Sequence, residues 1–100
     1  MFLRNEFRII SIVIFSAISA ACGSHRPATS PEDAIAARKQ NQQGLVAFQA
    51  RNLERARILF EKAAEIDPNE AEYPNNVGMV YLQSTDPQAA LEQFNQAIEL

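Results

Sequence analysis

The sequence predicts an all-α fold built from two helical hairpins, and three observations lead to that class. Apolar residues recur at helical spacing, as at Ala56, Phe60 and Ala63. No segment alternates apolar and polar residues with the period of two that a half-buried strand shows. Sliding the chain against itself by 34 residues aligns 37–66 with 71–100, and nine of thirty columns are identical. Average amino-acid usage would give about two identities, so the chain contains a repeated unit.

The helix boundaries follow from capping and breaking residues. Ser30 precedes Pro31 and two acids, which is typical of an N-cap followed by the first turn of a helix. Asp67 and Pro68 interrupt the apolar pattern, and Asp86 followed by Pro87 repeats the signature of a helix start. Each block is therefore predicted to be two helices joined by a short turn.

The identical columns also have a packing interpretation. Gly44 and Gly78 are predicted to lie where only a very small residue lets the second helix of the hairpin approach the first. Phe60 and Phe94 are then the large side chains that fill the space between neighbouring hairpins. Small residues complete the contact, namely Ala56, Ala63, Ala90 and Ala97.

With these residues the two blocks resemble the tetratricopeptide repeat. The matching positions are Gly44, Ala56, Phe60, Ala63 and Pro68, then Gly78, Tyr81, Ala90, Phe94 and Ala97. The resemblance implies two helix-turn-helix hairpins stacked as a short α-solenoid, with repeat one at 37–70 and an incomplete repeat two at 71–100. Such solenoids usually need at least three repeats, so further repeats or a homodimer are expected to cover the C-terminal end.

The same resemblance implies a binding surface. In tetratricopeptide proteins the first helix of each repeat lines a concave groove that holds a protein or peptide partner. The corresponding residues here are Arg38, Asn41, Leu45, Phe48, Glu72, Asn75, Met79 and Leu82. Asparagine amides can bind a peptide backbone, and apolar residues suit a partner helix. The alternative is that Leu45, Phe48 and Met79 are core between helices or cover a missing neighbour.

The N-terminal residues have a different character. Residues 1–21 begin with Arg4 and Arg8 and continue with an uncharged stretch at 9–20. That stretch is too short for a bilayer-spanning helix, which needs about 20 apolar residues. A basic start, a short apolar stretch and small residues after it are typical of an export signal peptide.

Cys22 follows at once, and Ser19 to Gly23 resemble the lipobox of bacterial lipoproteins, although Ser19 stands where an aliphatic residue is usual. The resemblance implies lipidation of Cys22 and anchoring to a membrane, and Gly23 favours the outer membrane, facing the periplasm. Residues 22–30 then form a flexible linker before the repeat region at 31–100. The alternative is plain cleavage, which would leave a soluble periplasmic protein.

Charge and composition exclude several function classes. The chain carries 9 Lys+Arg against 12 Asp+Glu, a balance that does not favour nucleic acid as a partner. The sequence offers no catalytic constellation, no metal-ligand set and no cofactor loop. We therefore expect a non-enzymatic interaction module in the cell envelope, a scaffold or assembly factor similar to pilotins or cell-wall hydrolase adaptors. The alternative is the N-terminal accessory part of a larger envelope enzyme or transport component.

Overall fold

The computed structural model describes residues 28–100, which form four α-helices and contain no strand. The helices are α1 (Pro31–Gln49), α2 (Leu53–Ile66), α3 (Glu72–Gln83) and α4 (Pro87–Glu99). The all-α class and its two hairpins are therefore confirmed. The predicted signal peptide at 1–21, the lipidation site Cys22 and the linker as far as residue 27 lie outside the described residues.

Three helices begin at a side-chain cap. The Ser30 hydroxyl accepts from the Asp33 amide at 3.2 Å, and the Asp86 carboxylate accepts from the Ala89 amide at 3.2 Å. Both caps precede a first-turn proline and confirm the predicted boundaries. Asn52 caps α2 in the same way, accepting from the Arg55 amide at 3.3 Å. The α3 helix starts after Ala71 without a side-chain cap.

The turn inside each hairpin has the same compact geometry. Arg51 and Thr85 adopt left-handed backbone conformations, with φ of 68° and 60°. The backbone amide of the following residue donates to a carbonyl in the last turn of the preceding helix. Asn52 N donates to Ala47 O at 2.9 Å, and Asp86 N donates to Tyr81 O at 2.8 Å. This is the Schellman arrangement. Since Asn52 and Asp86 also cap the next helix, one residue closes one helix and opens its neighbour.

Helix α1 packs on α2, α3 packs on α4, and α2 joins the two hairpins by packing on α3. The glycines lie where the repeat predicted them, each beneath the ring of its own phenylalanine, Phe60 or Phe94. A central apolar cluster spans the junction between the hairpins. Its buried members are Ala47, Ala56, Leu59, Phe60, Val77 and Val80. A second cluster beside it consists of Ala37, Ala63 and Tyr73.

The segment just before α1 contacts the turn between the hairpins. The Thr29 hydroxyl donates to Asp67 Oδ1 at 2.5 Å and accepts from Asn69 Nδ2 at 3.2 Å. Asp67 is itself 8 % exposed. Thr29, which the sequence analysis assigned to the linker, is thus fixed to the repeat region by side-chain hydrogen bonds.

Candidate partner-binding groove

The eight residues predicted to line the groove lie on α1 and α3, the first helices of the two hairpins. Their exposure divides them into two sets. The exposed residues are Arg38, Glu72, Asn75, Met79 and Leu82. Leu45 and Phe48 are half-buried, and Asn41 is buried. The structure therefore brings the predicted residues of repeat two to the surface and covers most of those in repeat one.

Asn41 lies in the junction between the hairpins and is 4 % exposed. Its Nδ2 donates to Glu72 Oε1 at 3.0 Å, and its Oδ1 accepts from Asn76 Nδ2 at 2.8 Å. Both partners belong to α3. Both the donor and the acceptor of the Asn41 amide are therefore occupied by residues of the next hairpin. The amide joins the two hairpins and does not face a partner.

Asn76 is a residue of this junction that the predicted groove did not include. It is 8 % exposed and its amide satisfies Asn41 across the junction. The sequence contains one signal for this contact, a second asparagine directly after Asn75. Asn75 is the residue that aligns with Asn41, and Asn76 lies a further 100° around the helix. The sequence alone did not show which of the two neighbours faces the preceding repeat.

The apolar members of the predicted groove also divide. Leu45 and Phe48 pack against the central cluster, which contains Val77 and Val80 of α3. This is the position that the alternative interpretation, core between helices, describes. Met79 and Leu82 are 44 % and 52 % exposed. Together with Glu72 and Asn75 they form one exposed side of a helix, which we call the α3 surface.

Arg57, near the start of α2, forms ion pairs within its own helix. Arg57 bonds Glu54 at 2.5 Å and Glu61 at 2.7 Å, which satisfies the helix spacings i,i+3 and i,i+4. The hydrogen bond from Arg57 holds the pKa of Glu54 below its ordinary value, and the same contact raises the pKa of Arg57. Arg51 donates to Gln83 at 3.4 Å across the two turns.

Charge is distributed unevenly between the hairpins. No Lys or Arg follows Lys62, so the second hairpin contains acids only, namely Glu72, Asp86, Glu92 and Glu99. An open groove between α2 and α4 brings Glu61 and Glu65 of the first hairpin beside Glu99 of the second. A partner that docks here meets a negative surface, which favours a basic or neutral segment.

Within residues 28–100, no group of three or more His, Cys, Asp or Glu side chains is placed to hold a metal ion. In the same part of the chain, no helix combines the length and the apolar character that crossing a bilayer requires.

Two stacked hairpins, closed by matched glycine–phenylalanine contacts and joined through a buried amide pair, define a helical repeat protein. The model of the tetratricopeptide repeat family matches residues 35–100, and the chain belongs to that family. Its repeats are protein–protein interaction modules, so the repeat region is one as well. No curated protein and no solved structure gives a significant match to the chain.

Proposed function

We propose that the chain is an exported, membrane-anchored tetratricopeptide module that binds a protein or peptide partner in the bacterial cell envelope. The observation that carries the binding part is the α3 surface. It presents two large apolar side chains, an amide and a carboxylate on one side of a helix whose other side is buried. Apolar side chains that stay exposed together on a folded module are typical of a docking surface.

The chemistry of the α3 surface indicates the kind of segment it takes. Met79 and Leu82 offer apolar contact, and the flexible thioether of Met79 can adapt to different side chains. The Asn75 amide can donate and accept with a peptide backbone. Glu72 supplies a negative charge in a hairpin that contains no cation. The best partner is therefore a segment with apolar residues and at least one Lys or Arg.

Arg38 is exposed on α1 one turn before Asn41, whose amide bonds Glu72, so it would add a positive charge beside this part of the binding surface. Leu45 and Phe48, which are half-buried, would form its apolar floor in repeat one. Asn41 would contribute indirectly, because its hydrogen bond to Glu72 fixes the position of that carboxylate. The partner would contact repeat two most directly.

The proposed location depends on residues 1–22. A basic start, a short apolar stretch and Cys22 after small residues support export and lipidation. Two or more acyl chains anchor a protein stably to a membrane. Anchoring would raise the effective concentration of the module near envelope partners. This suits an assembly factor or scaffold, similar to pilotins or cell-wall hydrolase adaptors.

The binding proposal is tested by photo-crosslinking and pulldown from an envelope extract with Met79→Glu and Asn75→Ala variants. Both residues are exposed, so the variants should keep the fold, which circular dichroism checks. Lys39→Ala, an exposed change on α1, is the matched control. Partners should be lost with the α3 variants and retained with the control. Equal recovery from all three proteins would contradict the α3 surface as the binding site.

The anchoring proposal needs a separate measurement. The full chain is expressed in a Gram-negative host, and the mass of the mature N-terminus is compared with that of a Cys22→Ser variant. The expected product begins at Cys22 and carries the mass of acyl chains, whereas the variant does not. An unmodified wild-type product cleaved at another position would show that Cys22 is not an anchor.

A further inference from the structure

The open groove between α2 and α4, which we call the acidic groove, has a volume of about 870 Å³. The carboxylates that line it are Glu61, Glu65, Asp67, Glu70 and Glu99, and no Lys or Arg of residues 28–100 lines it. Within that part of the chain, Glu61 alone among these acids forms an ion pair, with Arg57 at 2.7 Å. The other carboxylates leave the groove with a negative charge that a basic side chain would neutralise.

The acidic groove also offers apolar contact. Ala64 of α2 lines it together with Pro74 and Val77 of α3, both of which are buried. An arginine suits such a place, because its methylene stem can pack on the apolar residues while its guanidinium bonds carboxylates at the rim. The groove therefore favours an extended segment that contains an arginine.

The N-terminal end of the described chain lies at the edge of this groove. The Thr29 hydroxyl donates to Oδ1 of Asp67, a groove residue, at 2.5 Å. Glu70 belongs to the same turn, since its amide donates to Asp67 O at 3.4 Å. Arg26 precedes Thr29 by three residues, which can span at most about 10–11 Å. Because Thr29 is held at Asp67, Arg26 is within reach of the acids beside it.

We propose that linker residues 23–27 dock in the acidic groove of their own chain, with the Arg26 guanidinium bonded to Glu70 and Glu65. Pro27 favours this, because a following proline disfavours helical backbone at Arg26 and so reduces the entropy lost on binding in an extended form. The bonds of Thr29 supply the linker at a high effective concentration, whereas a basic segment of another protein must lose its translational freedom.

Docking shortens the tether between position 22 and the repeats. Residues 22–28 could span up to about 23–25 Å, whereas with Arg26 bound only residues 22–25 remain free, which span about 13–14 Å. None of the α3 surface residues Glu72, Asn75, Met79 and Leu82 lines the acidic groove. The linker and a partner can therefore bind at the same time, and the inference depends neither on partner binding nor on lipidation.

The test is paramagnetic relaxation enhancement in the full chain, made by cell-free synthesis so that Cys22 keeps its thiol. Cys22 is the single cysteine, so a nitroxide attaches there without another substitution. Docking should broaden the amide signals of Gln93 and Gln96 on the α4 side of the groove. Arg26→Glu should lower the ratio of docked to undocked linker at least about fivefold. Lys39→Glu, the same charge change on an exposed α1 residue outside the groove, should leave the ratio unchanged.

A charge swap gives an independent readout. Glu70→Arg should reduce the broadening on α4, and combining it with Arg26→Glu should restore it, because the pair then attracts again. Both residues lie outside the helices, so the variants should keep the fold, which circular dichroism checks. Equal broadening in the wild type and Arg26→Glu would overturn the proposal. Wild-type broadening confined to the turn at 67–70 would also overturn it and leave the groove to a basic segment of another protein.

Discussion

The backbone of Gly44 lies directly beneath the ring of Phe60. A β-carbon added to Gly44 would stand 2.6 Å from Phe60 Cε1 and 2.7 Å from Cδ1, closer than real β-carbons approach other atoms. Gly78 and Phe94 repeat this contact, with 2.6 Å and 2.8 Å to the same ring atoms. The two helices of each hairpin therefore lie so close together that the glycine position has room for a hydrogen atom but not for a methyl side chain.

Gly44→Ala should lower the free energy of unfolding, whereas Gly78→Ala should change it little. Overpacking costs about 1–3 kcal/mol, and alanine recovers up to about 1 kcal/mol of helix propensity. Phe60 is 1 % exposed and cannot move aside, but half-buried Phe94 can tilt toward solvent. Urea denaturation of both variants measures the difference.

The matched control for this pair removes the ring. Phe60→Leu destabilises by itself, but adding Gly44→Ala to it should cost less than adding Gly44→Ala to the wild type. Such coupling is expected when two residues share one contact. Strict additivity of the two changes would mean that the ring does not set the helix separation.

Asn41→Ala should destabilise the chain by about 1–3 kcal/mol, because it removes two hydrogen bonds and leaves the Asn76 amide without this buried partner. Asn75→Ala is the control, since Asn75 occupies the same repeat position but is exposed, and exposed changes usually stay within about 0.5 kcal/mol. Denaturant titration compares the two. If both alanine variants lost equal stability, the amide pair would not be what joins the hairpins.

Asn41 and Asn75 also show which features of the structure could be predicted from the sequence and which could not. The 34-residue register predicted both hairpins and the close helix approach at Gly44 and Gly78, and the residues before the two first-turn prolines predicted two of the helix caps. That each glycine contacts the phenylalanine of its own hairpin was not predicted. The solvent exposure of individual residues could not be predicted in this way. The two asparagines share residue type and register, yet α3 covers one, and no helix among the described residues covers the other. A surface that depends on what packs at the end of a stack is not encoded in the periodicity of one helix.

The conformation of the turn residues could not be predicted from the sequence either. Arg51 and Thr85 occupy the left-handed position that usually takes glycine, and neither residue type signals it. Only the hydrogen bonds from Asn52 and Asp86 reveal the motif. Sequence reasoning identified Asp86 through the proline that follows it, but Asn52 lacks that marker and its cap was missed.

Thr85→Gly should stabilise the chain. A β-branched residue with φ of 60° bears a cost of roughly 1–2 kcal/mol. Glycine avoids that cost but gives back about 0.5–1 kcal/mol in unfolded-state entropy, so a net gain on the order of 0.5 kcal/mol is expected. Ser84→Gly is the control, because Ser84 has a φ of −87° and gains nothing from glycine. A thermal melt that drops for Thr85→Gly would show that the threonine conformation is not strained.

The stability of the chain should fall at alkaline pH because of Tyr73. Burial raises the pKa of Tyr73 above its ordinary value of 10.0, and the negative charges of Asp67, Glu70 and Glu72 raise this pKa further. The folded state therefore keeps the phenolic proton at a pH where the unfolded chain has released it. The free energy of unfolding then decreases as pH rises above about 10 through the folded pKa, and the contribution is fully present below that range. Urea titrations at pH 8, 10 and 11 should show a smaller decrease in the free energy of unfolding for Tyr73→Phe than for the wild type. An unchanged slope in Tyr73→Phe would mean that another group titrates on unfolding.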